Sequence, residues 1–503
     1  MIAVLNSLDY LVTNARIIDP ETGGDFYGSL GIAGGKIAAL YPVYPAAGPP
    51  EGGAPPVPAP SGGTSPAGPA ATAEPMAATV SAATAGSAAA LPAAARIVDA
   101  GGGFLVPGFI DVHAHTDNDI PCAEKLLAMG VTTVLSGNCG LSPVDFSRFF
   151  AAFEEQGYPV NQAEQVGHTE LRKAAGQRNV YAPADAAQLK RMKALVREAF
   201  AAGAAGLSFG LEYAPGAPPE EVLEMAALAA EARRLVSIHI RPVGVNGTSS
   251  LQEALDLSVK TGVRVIVSHL VYMFLGDGLK RALELIDRGR SQGADLWTDS
   301  GMYTAFASFA GTPVFDEAVF TGKGLSFDKL RAATGKYSGQ FLDREKYREV
   351  RRDSPKDSFI YDPGRPEDIF TAYSLGDVMV STDCIAYPPG QGHPQGAATY
   401  PYFLRVLVRE RRQLSLTEGL RRASLIPARA LGYDNKGRIA PGADADLVVL
   451  DWPRLRERAD FPGSGDPDAP PEGVKHVFVN GVLAVENERR IPGVMAGKCL
   501  YAR

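Results

Sequence analysis

The sequence predicts an α/β protein: a (β/α)8 barrel of the TIM type, joined to a small β-sandwich domain composed from both termini. Three observations carry that expectation. From about residue 105, short apolar runs alternate with amphipathic helical stretches, the pattern of βα units around a parallel sheet. Both ends of the chain read instead as short alternating strands separated by glycine turns. Histidines, a cysteine and an aspartate follow the apolar runs at their carboxyl ends, where such a barrel carries its chemistry.

The elements follow in order. Residues 1–42, with "YLVTNARIID" and "GSLGIAGGKIAALYP", together with 96–104, form the first part of the β-sandwich domain. Between them, residues 43–95 are a Pro, Ala and Gly mixture with too few large apolar side chains to offset the entropy of ordering, so a disordered insertion is expected. Residues 105–435 supply eight candidate barrel strands: "FIDVH", "TTVLSG", "QAEQVGH", "GLSFGL", "VSIHI", "RVIVSH", "DLWTDS" and "VMVSTD". Stretches such as "DAAQLKRMKALVREAFAAG" and "PEEVLEMAALAAEARRL" repeat apolar residues at three and four, the spacing of a buried helix face. The link between the last two strands is long and charged, and predicts a lid-like insertion of helical character at about 315–368 over the barrel mouth. Residues 436–503 return to strands and complete the β-sandwich domain.

Composition excludes several function classes. The 503 residues carry a formal net charge of −7 and no dense basic run, so neither nucleic acid nor an anionic membrane is an expected partner. No segment reads as a secretory signal or a membrane span, and a cytoplasmic location is expected. Cys122, Cys139, Cys384 and Cys499 have no paired spacing, which argues against a disulfide framework and reads each as a free thiol.

The polar residues then fall on one rim. His113 and His115 close the first strand; alternation places i and i+2 on one face, so both imidazoles reach one point. Cys139 follows the second strand, His168 ends the third, Glu212 follows the fourth, His239 ends the fifth, His269 the sixth and Asp383 the eighth. A single histidine at a strand end is ordinarily a hydrogen-bonded structural residue. Four together, His113, His115, His239 and His269, point to a divalent metal, and a thiolate at Cys139 favours zinc. His168 is equally readable as a substrate contact or as support, and Glu212 as a loop cap.

These segments resemble the amidohydrolase superfamily, and within it the D-aminoacylase or N-acyl-D-amino-acid deacylase group. The matching pieces are "VPGFIDVHAHTD", "GVTTVLSGNCG", "GHTELRKAAG", "GLSFGLEYAPG", "HIR", "VIVSH", "STD" and "KGRIAPGADADLVVLD". The resemblance implies one tightly bound zinc held by Cys139, His239 and His269, with His113 and His115 lining a second, weaker divalent position. It implies Asp383 as general acid and base, and hydrolysis of a linear amide of a small molecule, an N-acyl-D-amino acid. Tyr213, Arg241 and His168 are the expected substrate contacts, Arg241 because its planar fork suits a carboxylate. A homo-oligomer is left open. The chain departs from the group after strand six, where "SHLVYM" replaces "SHHK", and after strand eight, where Gln395 in "HPQ" replaces an arginine. The alternatives are a cyclic amide hydrolase of the hydantoinase or dihydroorotase kind, against which the absence of lysine from strand four counts, and a noncatalytic assembly protein.

Overall fold

The computed structural model describes residues 7–43, 91–242, 247–322 and 324–502. Eight parallel strands, Phe109–Asp111, Val131–Ser136, Asn161–Gly167, Gly206–Gly210, Leu235–His239, Val265–Val267, Leu296–Ser300 and Val378–Val380, follow one another around a barrel. Each pairs with the next in register, for example Ser208 with Ser237 and Ser237 with Ile266. Their residues are almost all buried, as expected for parallel strands covered on both faces. Val112, Leu135, Ala163, Ile266 and Met379 meet inside, closed below by Ile426 and Ala430.

The first and last strands meet through side chains. Asp111 Oδ1 accepts from Thr382 N at 3.2 Å and from His113 N at 3.1 Å, while Tyr400 Oη donates to the carbonyls of Ile110 and Val380. Beyond that seam the chains pair again, Cys384 beside Ala114 and Ile385 beside His115. The barrel is thus closed directly beneath His113, His115 and Asp383.

Helices cover the outside, and their ends are written in the sequence. Helix Ala186–Ala202 starts at Asp185, whose carboxylate caps Gln188 N while Gln188 caps Asp185 N, and stops at Gly203 with φ +111°. It buries Met192, Leu195, Val196, Ala199 and Phe200. No helix among the described residues is long and apolar enough to cross a membrane.

Both termini build one nine-stranded sheet. Leu8–Ile18 pairs with Asp25–Ala33, Ala94–Asp99 and Phe104–Pro107, and the last of these pairs with Leu447–Leu450 from the far end of the chain. Val12, Ile17, Leu30, Leu105, Leu447 and Phe478 share its core. The stretch 43–95 lies, apart from its ends, outside the described residues; at its end, the strand Ala94–Asp99 begins inside it.

The excursion between the last two barrel strands differs from the charged helical lid expected. It starts at Phe306 and contains a three-stranded antiparallel sheet, Phe306–Phe309, Ser358–Tyr361 and Leu330–Ala332, with a core of Phe315, Phe320, Tyr347 and Phe359. Strands of three and four residues are too short for their alternation to be seen against the charged helix Arg344–Asp353 that lies between the second and third of them in sequence.

One buried carboxyl in this framework makes stability depend on pH. Glu164, on the third barrel strand, accepts from Gln162 Nε2 at 2.8 Å, while Gln162 N bonds the Lys498 carbonyl of the C-terminal tail at 3.0 Å. Burial, then the charge of Asp117, push the Glu164 carboxyl well above its ordinary 4.5. Unfolding releases this proton at any pH between the two values, so its contribution to stability falls as pH rises above 4.5. Glu164→Gln removes that slope and keeps the acceptor. Thermal unfolding at pH 5 and pH 8 (about these values) should therefore show the variant gaining on the parent as pH rises; a difference independent of pH would refute the assignment.

Candidate metal centre and active site

Strand ends deliver the side chains. His113 follows the first strand, Cys139 the second through the tight turn "GNCG", His239 ends the fifth, His269 follows the sixth and Asp383 the eighth. Cys139, His269 and Asp383 have φ of 53°, 38° and 51°. Left-handed backbone at three non-glycine residues of one rim is strain of the kind that surrounding structure sustains at functional sites. It lets each chain turn sharply off its strand and aim its side chain over the barrel axis.

Two donor groups result, sharing His113. In one, Cys139 Sγ stands 3.3 Å from His113 Nε2 and 3.6 Å from His269 Nε2. In the other, Asp383 Oδ1 is 3.3 Å from both His113 Nε2 and His115 Nε2. A tetrahedral zinc with bonds of about 2.3 Å to sulfur and about 2.0 Å to nitrogen or oxygen separates its ligands by about 3.3–3.5 Å. The spacing fits the ion. It is Nε2 of His113, His115 and His269 that converges on the sulfur and the carboxylate.

The electrostatics agree with a site made for a cation. Burial pushes the Cys139 thiol up, but the charge of His113 and hydrogen bonds from His113, His115 and His239 outweigh it and hold the thiol well below its ordinary value. Burial likewise opposes, and His113 and His115 overcome, so that Asp383 stays well below the carboxylate range. Burial works against the imidazolium forms as well; Asp383 and Cys139 nevertheless raise His115 to about 10, and Cys139 and Glu212 raise His239 to about 9. Thiolate and carboxylate hold protons on the imidazoles that a divalent cation replaces at the same centre.

Beside this cluster opens a cavity of about 430 Å³ lined by Glu212, Tyr213, His239, His269 and Asp383, and by Phe306 and Tyr361 of the lid. Tyr213 packs its ring on His239, 4.9 Å between centroids, and its Oη accepts from Ser308. Burial keeps its phenol protonated, as a donor.

His113, His115, Cys139, His239, His269, Asp383 and Tyr213 therefore come together. His239 hydrogen-bonds Cys139 and also lies, through Nε2, 3.0 Å from Glu212 Oε2, while His113 joins Cys139 and His269 in the tighter triad. Two expected residues stand apart. Arg241 makes a two-pronged pair with Glu253 at 2.8 and 3.1 Å and donates to the Ala217 carbonyl, facing an outer groove. The fifth strand ends at His239, so the i+2 alternation that would have turned Arg241 inward is lost. His168 Nε2 bonds Glu221 at 2.8 Å, Glu221 also takes Arg172, and none of them lines the cavity. His168 supports the helix that starts at it.

Three further residues escaped the sequence, and a fourth, Gln395, stood out there only as the replacement of an arginine. Asp299 Oδ1 stands 3.5 Å from His113 Nδ1 and accepts from His269 N at 3.1 Å, bracing two of the candidate donors. Asp111 braces the seam, and Gln395 donates to the Asp383 carbonyl at 2.6 Å while accepting from Tyr272 Oη at 3.1 Å. The acidic end of "WTDS" was the one signal for Asp299. All four cysteines are free thiols, as the sequence reads them; Cys122 and Cys384, 262 positions apart, bring their buried sulfurs to 3.2 Å.

The amidohydrolase family model matches residues 96–317 and 375–485, which take in every one of these donors. The chain belongs to the amidohydrolase family. Among relatives of this amidohydrolase, the N-acyl-D-glutamate deacylase of Alcaligenes xylosoxydans xylosoxydans is 30% identical over 431 residues, 77% of this chain and 85% of that protein. The D-aminoacylase of the same organism is 27% identical, over 80% of this chain and 88% of that one. A crystal structure of N-acyl-D-glutamate deacylase from Bordetella bronchiseptica, complexed with zinc and a phosphonate that mimics the tetrahedral intermediate, superposes with a TM-score of 0.78 at 26% identity, covering 99% of this chain and 100% of that one. A D-hydantoinase structure, at 14% identity and a TM-score of 0.57, shares the fold.

Proposed function

We propose that this amidohydrolase is a zinc-dependent deacylase of N-acyl-D-amino acids, cleaving a linear amide to a carboxylate and a free amino acid. What supports this reading above all is the paired donor set, two triads joined at His113 with Asp383 at the cavity wall. The relatives named for D-amino-acid substrates support the substrate class.

The residues that would hold the metal are His113, His115, Cys139, His239 and His269. A bound divalent ion supplies Lewis acidity, which draws charge from the amide carbonyl and makes water a better nucleophile near neutral pH. The protein does the rest. Asp383 Oδ1, ionised and within reach of both His113 and His115, takes a proton from the attacking water and returns it to the departing nitrogen, without which the amine leaves too slowly. Tyr213 donates towards charge developing on the carbonyl oxygen. Gln395 and Asp299 keep Asp383 and the imidazoles in place. The lid, through Phe306 and Tyr361, walls the cavity and limits water.

Elemental analysis of the purified protein and a panel of N-acyl-D-, N-acyl-L-amino acids and hydantoins test this. Zinc with release of D-amino acids is the expected result. Hydantoin ring opening without deacylation would replace the reading with the cyclic alternative.

A further inference from the structure

From the charges around the cavity we infer that Arg365 is the receptor for the substrate carboxylate. The inference rests on the deacylase reading, because every N-acyl amino acid carries a carboxylate one carbon from the amide nitrogen. Inside walls formed by Val271, Tyr272, Phe306 and Tyr361, that charge loses its water and requires a cation. Glu212, Asp277 and Asp383 line the cavity with the wrong sign, His239 and His269 belong to the metal-binding cluster, and among the described residues Arg365 is the one arginine or lysine in the lining. Arg241 is committed to Glu253 outside it. Gln395 is neutral and has both ends engaged, by the Asp383 carbonyl and by Tyr272.

Arg365 is also held as a receptor is held. Its Nε donates at 2.7 Å to Asp368 Oδ2, and Asp368 is itself buried, with Oδ1 accepting from Gly276 N at 2.9 Å. Fixing the guanidinium through Nε leaves its two terminal nitrogens as the pair that meets a carboxylate end-on. The wall makes room for them. Gly276 has φ +56°, and a Cβ there would stand 3.2 Å from Arg365 Nη2. Arg365 is 42% exposed and Glu367, 3.6 Å from the same nitrogen, 61% exposed, so water screens that pair, and a substrate carboxylate competes with it by closing the cavity side of the guanidinium from water. Asp277, 81% exposed, is screened likewise.

The test compares an N-acetyl-D-amino acid with its primary carboxamide, which differ only in the charge at issue. Calorimetry in the Asp383→Asn background measures binding without turnover, and KM in the otherwise unchanged zinc enzyme measures it during turnover. Arg365→Gln should weaken the acid about three- to tenfold in both, the effect of removing one partner from a partly shielded charge pair, while the carboxamide stays within about twofold. Arg365→Lys should recover part of the loss. Equal weakening of acid and carboxamide, or an unchanged affinity for the acid, would overturn the assignment while leaving the deacylase reading intact. If neither compound binds the parent, the deacylase reading falls and takes Arg365 with it.

Discussion

Replacing Asp383 by asparagine is expected to lower kcat by about a thousand- to ten-thousandfold, the contribution of a positioned acid–base group and its charge. The amide keeps the shape and loses the ability to carry a proton between water and the leaving nitrogen. The left-handed backbone at Asp383, φ 51°, suits asparagine as well as aspartate, and Gln395 binds the backbone carbonyl here, which the substitution leaves alone. Folding should be unaffected. The group around Cys139 and His269 does not include the Asp383 carboxylate, so one metal per chain should remain by elemental analysis. Turnover close to that of the parent would remove Asp383 from the mechanism; loss of all metal would recast it as a ligand first.

The second large effect is expected at Cys139. Its sulfur is the one soft donor near both His113 and His269, and their charges already hold it as a thiolate. Cys139→Ala removes a ligand of the inner sphere, where even outer supports are worth ten- to a hundredfold in affinity, so zinc should bind at least about a hundredfold more weakly. At a zinc concentration that saturates the parent, a hundredfold loss of affinity corresponds to about 2.7 kcal/mol less stabilisation by metal. Unfolding curves with and without zinc measure it directly: the parent should gain and the variant hardly at all. The metal-free proteins need not unfold alike, because the variant also loses the thiolate that His113, His115 and His239 bond, so the readout is the gain on adding zinc within each protein. An undiminished gain in the variant would reduce Cys139 to a packing residue.

The donors were legible along the chain for a local reason. Alternation in a strand sets the direction of a side chain from its position, and a parallel barrel brings all carboxyl ends to one rim. His113, His115, His239, His269, Cys139 and Asp383 needed no more than that. Where the strand stops, the rule stops. Arg241 stood one alternation beyond the end of the fifth strand and turned outward to Glu253; His168 began a helix and turned to Glu221. Asp299, Gln395 and Tyr272 carried no spacing that set them apart from ordinary core residues, since they act on ligands from other strands. Cys122 and Cys384 show the same limit: separation along the chain hides a contact of 3.2 Å.

What could be read without coordinates was whatever has a period. Runs of buried β-branched residues, helix faces at three and four, caps such as Asp185 with Gln188, and donors at strand ends are all repeated or neighbouring features. They point to the barrel, the strand order and the side chains that gather at its rim. Folding in three dimensions settled everything that joins residues distant in sequence: the seam of Asp111 and Thr382, the sharing of His113 by two donor groups, the short-stranded lid over the cavity, and the approach of Arg365 to it. The physical reason is the range of the forces. Backbone geometry is set by near neighbours, whereas charge and hydrogen bonding act across any two groups that packing has brought within a few ångströms.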